Sequence, residues 1–327
     1  MDNIDFDALS AELVRALRGR RSQAAFSRWL GFRSNVVHSW ETRKAWPTAA
    51  LFFRVAERCG RDLPKLSGDF LPVRSEGARQ LTTREGVAAF LEELRGRLPV
   101  IELARLTGRS RFAVARWLQG FTEPRLPDFL RVVEAASLRV VDLAAGVVDA
   151  AHLPSLRARL RAMNAAREAA FDVPWSQAVL RATELELYRS SAKHEPGLIA
   201  RLLGITLEEE QRCLDLLVAT GQLSFAQERY IAGAPLAVDT RVSGLRSRDL
   251  KVWWSRISLG RLQAGAEGLY FFNLFAVSQK DLERLEELQR GYFRELRRIV
   301  AESEPSECVV LVNWHLLPLA KRTSLER

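Results

Sequence analysis

The stretch Arg21-Ser-Gln-Ala-Ala-Phe-Ser-Arg-Trp-Leu-Gly-Phe-Arg-Ser-Asn-Val-Val-His-Ser-Trp-Glu-Thr-Arg-Lys-Ala-Trp-Pro47 decides how the N-terminal half is read. Ala25, Phe26, Trp29 and Leu30 fall at helical spacing and predict a helix over Ser22 to Leu30. Gly31 follows, at a point where a left-handed C-cap favours a residue without a Cβ. A second short helix is predicted over Ser34 to Thr42, with Val37 and Trp40 three apart on its buried side. Ser34, Asn35, His38 and Ser39 then point the other way. A short helix with a small polar outer face, held by a partner across a tight turn, is the physical form of a DNA-reading helix.

Upstream, Phe6, Leu9, Leu13 and Leu17 line one face of a predicted helix over 5–18, with Asp5 or Asp7 as its cap. Between Leu13 and Trp40 the chain has six arginines and no acidic residue. A charge run is ordinarily a solvated face. Beside a DNA-reading helix it assigns salt-dependent phosphate contact to Arg18, Arg20, Arg21, Arg28 and Lys44. Downstream, Leu51, Phe52, Val55 and Ala56 mark a core helix over Ala49–Cys59, Leu63 and Leu66 extend the packing, and Gly68 to Ser75 reads as a linker.

The pattern then returns 77 residues later. Leu17-Arg18-Gly19-Arg20 becomes Leu94-Arg95-Gly96-Arg97, and Gly31, Val37, Trp40, Pro47, Phe52 and Glu57 become Gly108, Val114, Trp117, Pro124, Phe129 and Glu134. Residues 80–145 are therefore a second copy of one module. Its first helix is predicted to open with a capping box between Thr82 and Glu85. Its outward helix reads Ser110-Arg-Phe-Ala-Val-Ala-Arg-Trp117.

The opening stretch resembles the Cro-type (Xre, lambda-repressor-like) helix-turn-helix family through Gln23, Phe26, Leu30-Gly31, Val37, Trp40-Glu41 and Pro47. The resemblance implies double-stranded DNA as partner, with the glutamine position touching the DNA backbone or a base. Ser22 and Gln23 are expected to anchor the backbone, and Ser34, Asn35, His38 and Ser39 to face base edges. Asn35 is suited to bidentate pairing with adenine; Arg33 and Arg43 suit either guanine or phosphate. The second copy departs from the family: Val100 replaces Gln23, Leu118 replaces Glu41, and Phe112 stands where Asn35 does. Two readings follow. The copy reads other bases with Ser110, Arg111 and Arg116, or it has become a packing module with Phe112 and Leu118 docked elsewhere.

From Leu153 an Ala/Arg-rich connecting helix is predicted, then helices opening at Pro174, at Pro196 and at Thr206 with a capping box, then a hairpin over Leu223–Phe225 and Arg229–Ile231. Three helices and a ribbon form a winged-helix arrangement. Glu208 to Glu210, read as solvated, would repel phosphate and favour an interaction role there. A basic helix over 245–264 follows. Leu269–Val277 and Cys308–Leu317 read as strands around a long helix capped at Ser278, a βαβ-like unit. Asn313 and His315 either face a pocket or satisfy hydrogen bonds at the sheet edge. The half from about 160 to 325 resembles a bacterial family of transcriptional regulators whose C-terminal domain is catalogued only as being of unknown function. The resemblance lies in Gly204-Ile-Thr-Leu-Glu-Glu-Glu with Leu216-Leu217 to Gly221, in Phe272-Asn-Leu-Phe-Ala-Val-Ser278, and in Val312-Asn-Trp-His-Leu-Leu-Pro-Leu319.

The 327 residues carry a net charge of +9 and a pI of about 10.0, which favours polyanionic partners. Three well-separated cysteines read as reduced thiols. No signal segment, 18-residue apolar run, zinc-type spacing, phosphate loop or nucleophile elbow is present in the sequence. The expectation is thus a mainly α protein without enzymatic activity, cofactor or metal. Two lambda-repressor-like modules (1–72 and 73–150) precede a connecting helix and winged-helix-like part (151–235) and an α+β part with a small sheet and long helix (236–327). It is expected to be a cytoplasmic, nucleoid-associated regulator of transcription whose C-terminal half dimerises as a homodimer or senses a small-molecule or protein effector. The other reading is an adaptor whose modules dock protein.

Overall fold

A computed structural model describes residues 4–70, 80–96, 98–233 and 244–319. The chain divides into two compact units, Met1–Asn164 and Ala165–Arg327. It is mainly helical, and its sheet among the described residues is one antiparallel pair.

In the first unit, helices α1 (Phe6–Arg18), α2 (Gln23–Trp29), α3 (Val36–Glu41), α4 (Ala49–Arg58) and α5 (Leu63–Phe70) form one module. Helices α6 (Arg84–Arg95), α7 (Val100–Thr107), α8 (Arg111–Leu118), α9 (Leu126–Ser137) and α10 (Val140–Val147) form the second, each starting within two residues of the 77-residue offset. Side-chain oxygens hold the helix starts: Asp5 accepts from the Ala8 N–H at 2.8 Å, Ser22 from Ala25 at 3.1 Å and Thr48 from Leu51 at 3.3 Å. Gly31 has φ +94° just past α2, and Gly108 φ +64° past α7, as a left-handed terminus requires. Two expectations shift. The cap of α6 is Thr83, whose hydroxyl accepts from Gly86 N–H at 3.0 Å, while Glu85 pairs with Arg84. Gly68, Asp69 and Phe70 lie inside α5, because Leu63, Leu66 and Phe70 all turn inward and hold that last turn; residues 71–75 of the expected linker fall outside the described residues.

The two modules pack about a local pseudo-two-fold axis. Ala49 N–H donates to the Pro124 carbonyl at 3.0 Å, and its counterpart Leu126 N–H donates to the Pro47 carbonyl at 3.0 Å. Between them Thr48 and Arg125 form an antiparallel bridge. Arg54 donates to the Thr82 carbonyl before α6, while its counterpart Arg131 lies 3.6 Å from Asp7 and stacks on Phe6 at the start of α1. Counterparts α5 and α10 pack on each other, and Arg139 donates to the Phe70 carbonyl. The shared core holds Phe53 against Phe129 (ring centroids 5.4 Å), Phe129 against Phe90 (5.9 Å) and Phe70 against Phe90 (5.7 Å). This is the isologous pattern of a C2 dimer, built within one chain. Two 3-10 turns at 150–152 and 154–156 follow, tied back by Ser155 Oγ donating to Glu12 at 2.6 Å.

Helix α11 (Arg157–Asp172) leads into the second unit. There α12 (Trp175–Ala182), α13 (Glu186–Arg189), α14 (Leu198–Leu203) and α15 (Leu207–Ala219) precede β1 (Leu223–Ala226) and β2 (Arg229–Ala232), paired with Leu223 opposite Ala232. Val179, Ile199, Cys213, Leu214 and Leu217 are the core. The Thr206–Glu209 capping box is present at α15. Burial pushes the Cys213 thiol up to about 11, so it is a core group rather than a reactive one. Glu210, expected to be solvated, is buried: its carboxylate accepts from Gly197 N–H at 3.1 Å and Ala200 N–H at 2.5 Å, satisfying the start of α14. His194 Nε2 stands 3.7 Å from that carboxylate and its Nδ1 3.2 Å from the Tyr188 hydroxyl.

Helices α16 (Gly244–Gln263) and α17 (Gln279–Glu302) complete the unit, with Ser278 capping α17 as its sequence predicts. The expected strands do not form. Residues 269–277 and 308–317 belong to no sheet, and Leu269 and Phe272 are 97% and 89% exposed. Their composition has strand propensity, but a strand exists only when a partner takes its backbone groups, and none of the described residues does so. No helix among the described residues is long and apolar enough to cross a membrane.

Candidate nucleic-acid interface

In the first module a polar chain runs beneath the outer face of α3. Arg18 Nε donates to Glu41 Oε1 at 2.6 Å, Gln23 Nε2 donates to Glu41 Oε2 at 2.7 Å, and Gln23 Oε1 meets His38 Nδ1 at 3.1 Å. The side chain of Glu41 is 3% exposed and that of Arg18 17%. A carboxylate so placed needs its cation and its amide donor, because neither can be replaced by water. Arg18 also donates to the Gly19 and Arg21 carbonyls. The expected phosphate contact by Arg18 therefore gives way to a scaffold role: its guanidinium is used inside the module. Gln23 is half-buried and orients His38, which stays exposed.

Asn35 also has a structural task. It is exposed, but its Oδ1 caps α3 through the His38 N–H at 3.3 Å and accepts from Ser27 Oγ at 3.1 Å. Its Oδ1 is thus engaged twice, so adenine pairing, which needs that oxygen as acceptor and Nδ2 as donor, would share the oxygen with the cap. The hydroxyls of Ser22 and Ser110 likewise accept as caps of α2 and α8, Ser110 from Ala113 N–H at 3.2 Å. Ser34 is exposed and Ser39 half-buried.

The cations separate into committed and uncommitted sets. Arg21 stacks on Trp29, 4.9 Å from its ring centre, and Arg43 pairs with Asp5 at 3.1 Å. Arg20, Arg28, Arg33 and Lys44 are exposed with no ion pair among the described residues. Arg43 has φ +61°, a left-handed backbone that costs a residue with a Cβ. Its counterpart is Gly120, φ +72°. Both close their helix with a left-handed residue, an ending that the glycine announces in the sequence and the arginine does not.

In the second module the same positions have changed character. Val100, Ala115 and Leu118 replace Gln23, His38 and Glu41, so the polar chain is gone. Arg95, the counterpart of Arg18, turns instead to Glu92 and keeps its bond to the Leu98 carbonyl at 2.7 Å. The outer residues Ile101, Phe112 and Phe121 are exposed, Phe112 at 82%. Arg111 and Arg116 are exposed without an ion pair among the described residues. No group of three His, Cys, Asp or Glu among the described residues could hold a metal ion.

In the second unit, Asn313 Nδ2 donates to the Trp254 carbonyl at 3.1 Å, and His315 Nε2 lies 3.4 Å from Ser255 Oγ. His315 lines an open hollow of about 340 Å³ with Arg248, Lys251 and Arg256.

This unit is where a known family is recognisable. Residues 161–319 match the family model described as Domain of unknown function (DUF4423). The DUF4423 region thus takes in the α12–β2 core as well as α16 and α17. No helix-turn-helix family model matches the modules before it. No curated protein and no solved structure is similar to the chain.

Proposed function

We propose that the protein is a sequence-specific DNA-binding regulator of transcription. Its two lambda-repressor-like modules act as a built-in pseudo-dimer, and its C-terminal unit serves association with a second copy or an effector. The observation that carries this reading is the first module's outer surface. A short helix there has its inner face fixed by the Arg18–Glu41–Gln23–His38 chain, beside four uncommitted cations. The reciprocal Pro47–Pro124 contacts support a two-part site, since they give the second module a defined place beside the first. Apolar side chains exposed along 269–277 and 308–317 support association through the second unit.

Selection of bound duplexes from random DNA tests the reading, with the affinity then followed against salt. Two unlike half-sites and a steep salt dependence are expected, with Arg33→Ala and Lys44→Ala each reducing the slope by about 1. Recovery of no motif, with salt-independent binding, refutes it. The adaptor reading draws on the exposed Ile101, Phe112 and Phe121; it predicts that the second module's outer face captures protein and leaves DNA affinity unaffected when altered.

A further inference from the structure

We infer that the second module reads thymine: Phe112 is a specificity residue that contacts the C5-methyl groups of thymines in its half of the site. The inference rests on the DNA-binding reading above and deepens it. Phe112 occupies the second position of α8 and is 82% exposed, at the position where the first module has Asn35. Arg116 follows one turn later on the same helical face, and Arg111 precedes it. Both guanidiniums are exposed and carry no ion pair among the described residues. An apolar ring flanked by two free cations suits a surface that is itself apolar spots within a polyanion. In the major groove the thymine methyl is that spot, and apolar side chains are its natural partner.

The other features of this module agree. The cations of the outer face have moved: Ser34 and Ser39 of the first module correspond to Arg111 and Arg116, while Arg33 and Lys44 correspond to Ser110 and Phe121. Phosphate-binding charge is therefore retained on α8 while the hydrogen-bonding side chains are lost. Among the described residues Phe112 makes no ring contact, so its ring is free for a partner. The reciprocal packing gives α8 the place in the second module that α3 has in the first, and because Ser110 caps α8, Phe112 stands free of the capping task that Asn35 performs.

The test uses the full chain and duplexes recovered from random-site selection, with thymine replaced by uracil in one half-site at a time. Uracil keeps the base pair and removes only the methyl. Wild type is expected to lose roughly fourfold in affinity for each contacted methyl removed from the second half-site. Phe112→Ala should bind thymine and uracil duplexes equally, and Phe112→Leu should keep the thymine preference; the position is exposed, so neither variant disturbs the core. Equal binding of the two duplexes by wild type overturns the inference while leaving the broader reading intact. So does an unchanged thymine preference in Phe112→Ala. Unchanged DNA affinity in Phe112→Ala together with lost protein capture overturns it in favour of docking. Absence of any selected motif overturns both readings.

Discussion

The two modules of the first unit share a backbone and divide in their chemistry. In the first, a buried carboxylate holds an arginine, a glutamine and, through it, a histidine beneath the outer helix. In the second, three apolar residues stand at the same places, and the matching arginine folds back on Glu92. The difference teaches that the polar chain is not what makes the module fold. A well-packed apolar substitute supports the same helices, as buried ion pairs and hydrophobic replacements of similar volume generally do. The chain in the first module is better understood as a device that orients Gln23 and His38 at the surface.

The largest expected effect falls on the axis that joins the modules. Phe129 touches both Phe53 and Phe90, so Phe129→Ala should cost about 4 kcal/mol in chemical denaturation. Its counterpart Phe52 has a ring contact with its neighbour Phe53 alone among the described rings, and Phe52→Ala should cost less. Equal costs would mean that the modules do not lean on each other at this point.

Next comes the polar chain. Glu41→Ala strands Arg18 and Gln23 and should cost about 3 kcal/mol. Grafting the second module's solution onto the first, with Arg15→Glu, Gln23→Val, His38→Ala and Glu41→Leu together, should return stability to within about 1 kcal/mol of wild type. A graft as costly as the single change would show that the two solutions are not interchangeable.

Asn35→Ala should lower stability by about 1 kcal/mol through loss of the α3 cap, and Ser110→Ala should do the same at α8. If Asn35→Ala leaves stability untouched and relaxes the preference at one base, the cap is secondary and base reading returns. The left-handed loop is a smaller lever. Arg43→Gly should stabilise by up to about 1 kcal/mol while weakening DNA affinity, and Gly120→Ala should destabilise by a similar amount.

Acidification gives the gentlest contrast, between the units rather than the modules. Burial holds His194 below its ordinary value of 6.5, outweighing the pull of Glu210, so the folded state prefers the neutral ring. A pKa lowered on folding contributes stability that is present above about 6.5 and is lost as pH falls through the folded value. The second unit should therefore weaken on mild acidification, and His194→Gln should flatten that dependence; thermal melts across pH 5–7 would show it.

Much of this architecture is legible along the chain because helices are local. The 3.6-residue spacing of Phe26, Trp29 and Leu30, the cap at Thr206 and the glycines after α2 and α14 depend only on nearby residues. Sheets are not local, and Leu269–Val277 has strand composition without a strand. Polar side chains are ambiguous for the same reason. Arg18 and Glu210 read as surface groups, yet each is engaged by a residue or helix end that spacing does not bring into view, as is Asn35 by Ser27.

Spacing and periodicity established the two repeated modules, their offset and which residues would be core, with the cap at Asp5 but not those at Asn35 and Thr83. They also marked Arg18, Arg20, Arg21, Arg28, Arg33, Arg43 and Lys44 as a cationic surface, because charge excess is visible without coordinates, but not which of them the fold engages. Packing in three dimensions supplied the rest: the reciprocal joining of the modules, the burial of Glu41 and the exposure of Phe112. Each of these depends on contacts between residues far apart in the chain, whose partners are chosen by shape, desolvation and charge, not by order.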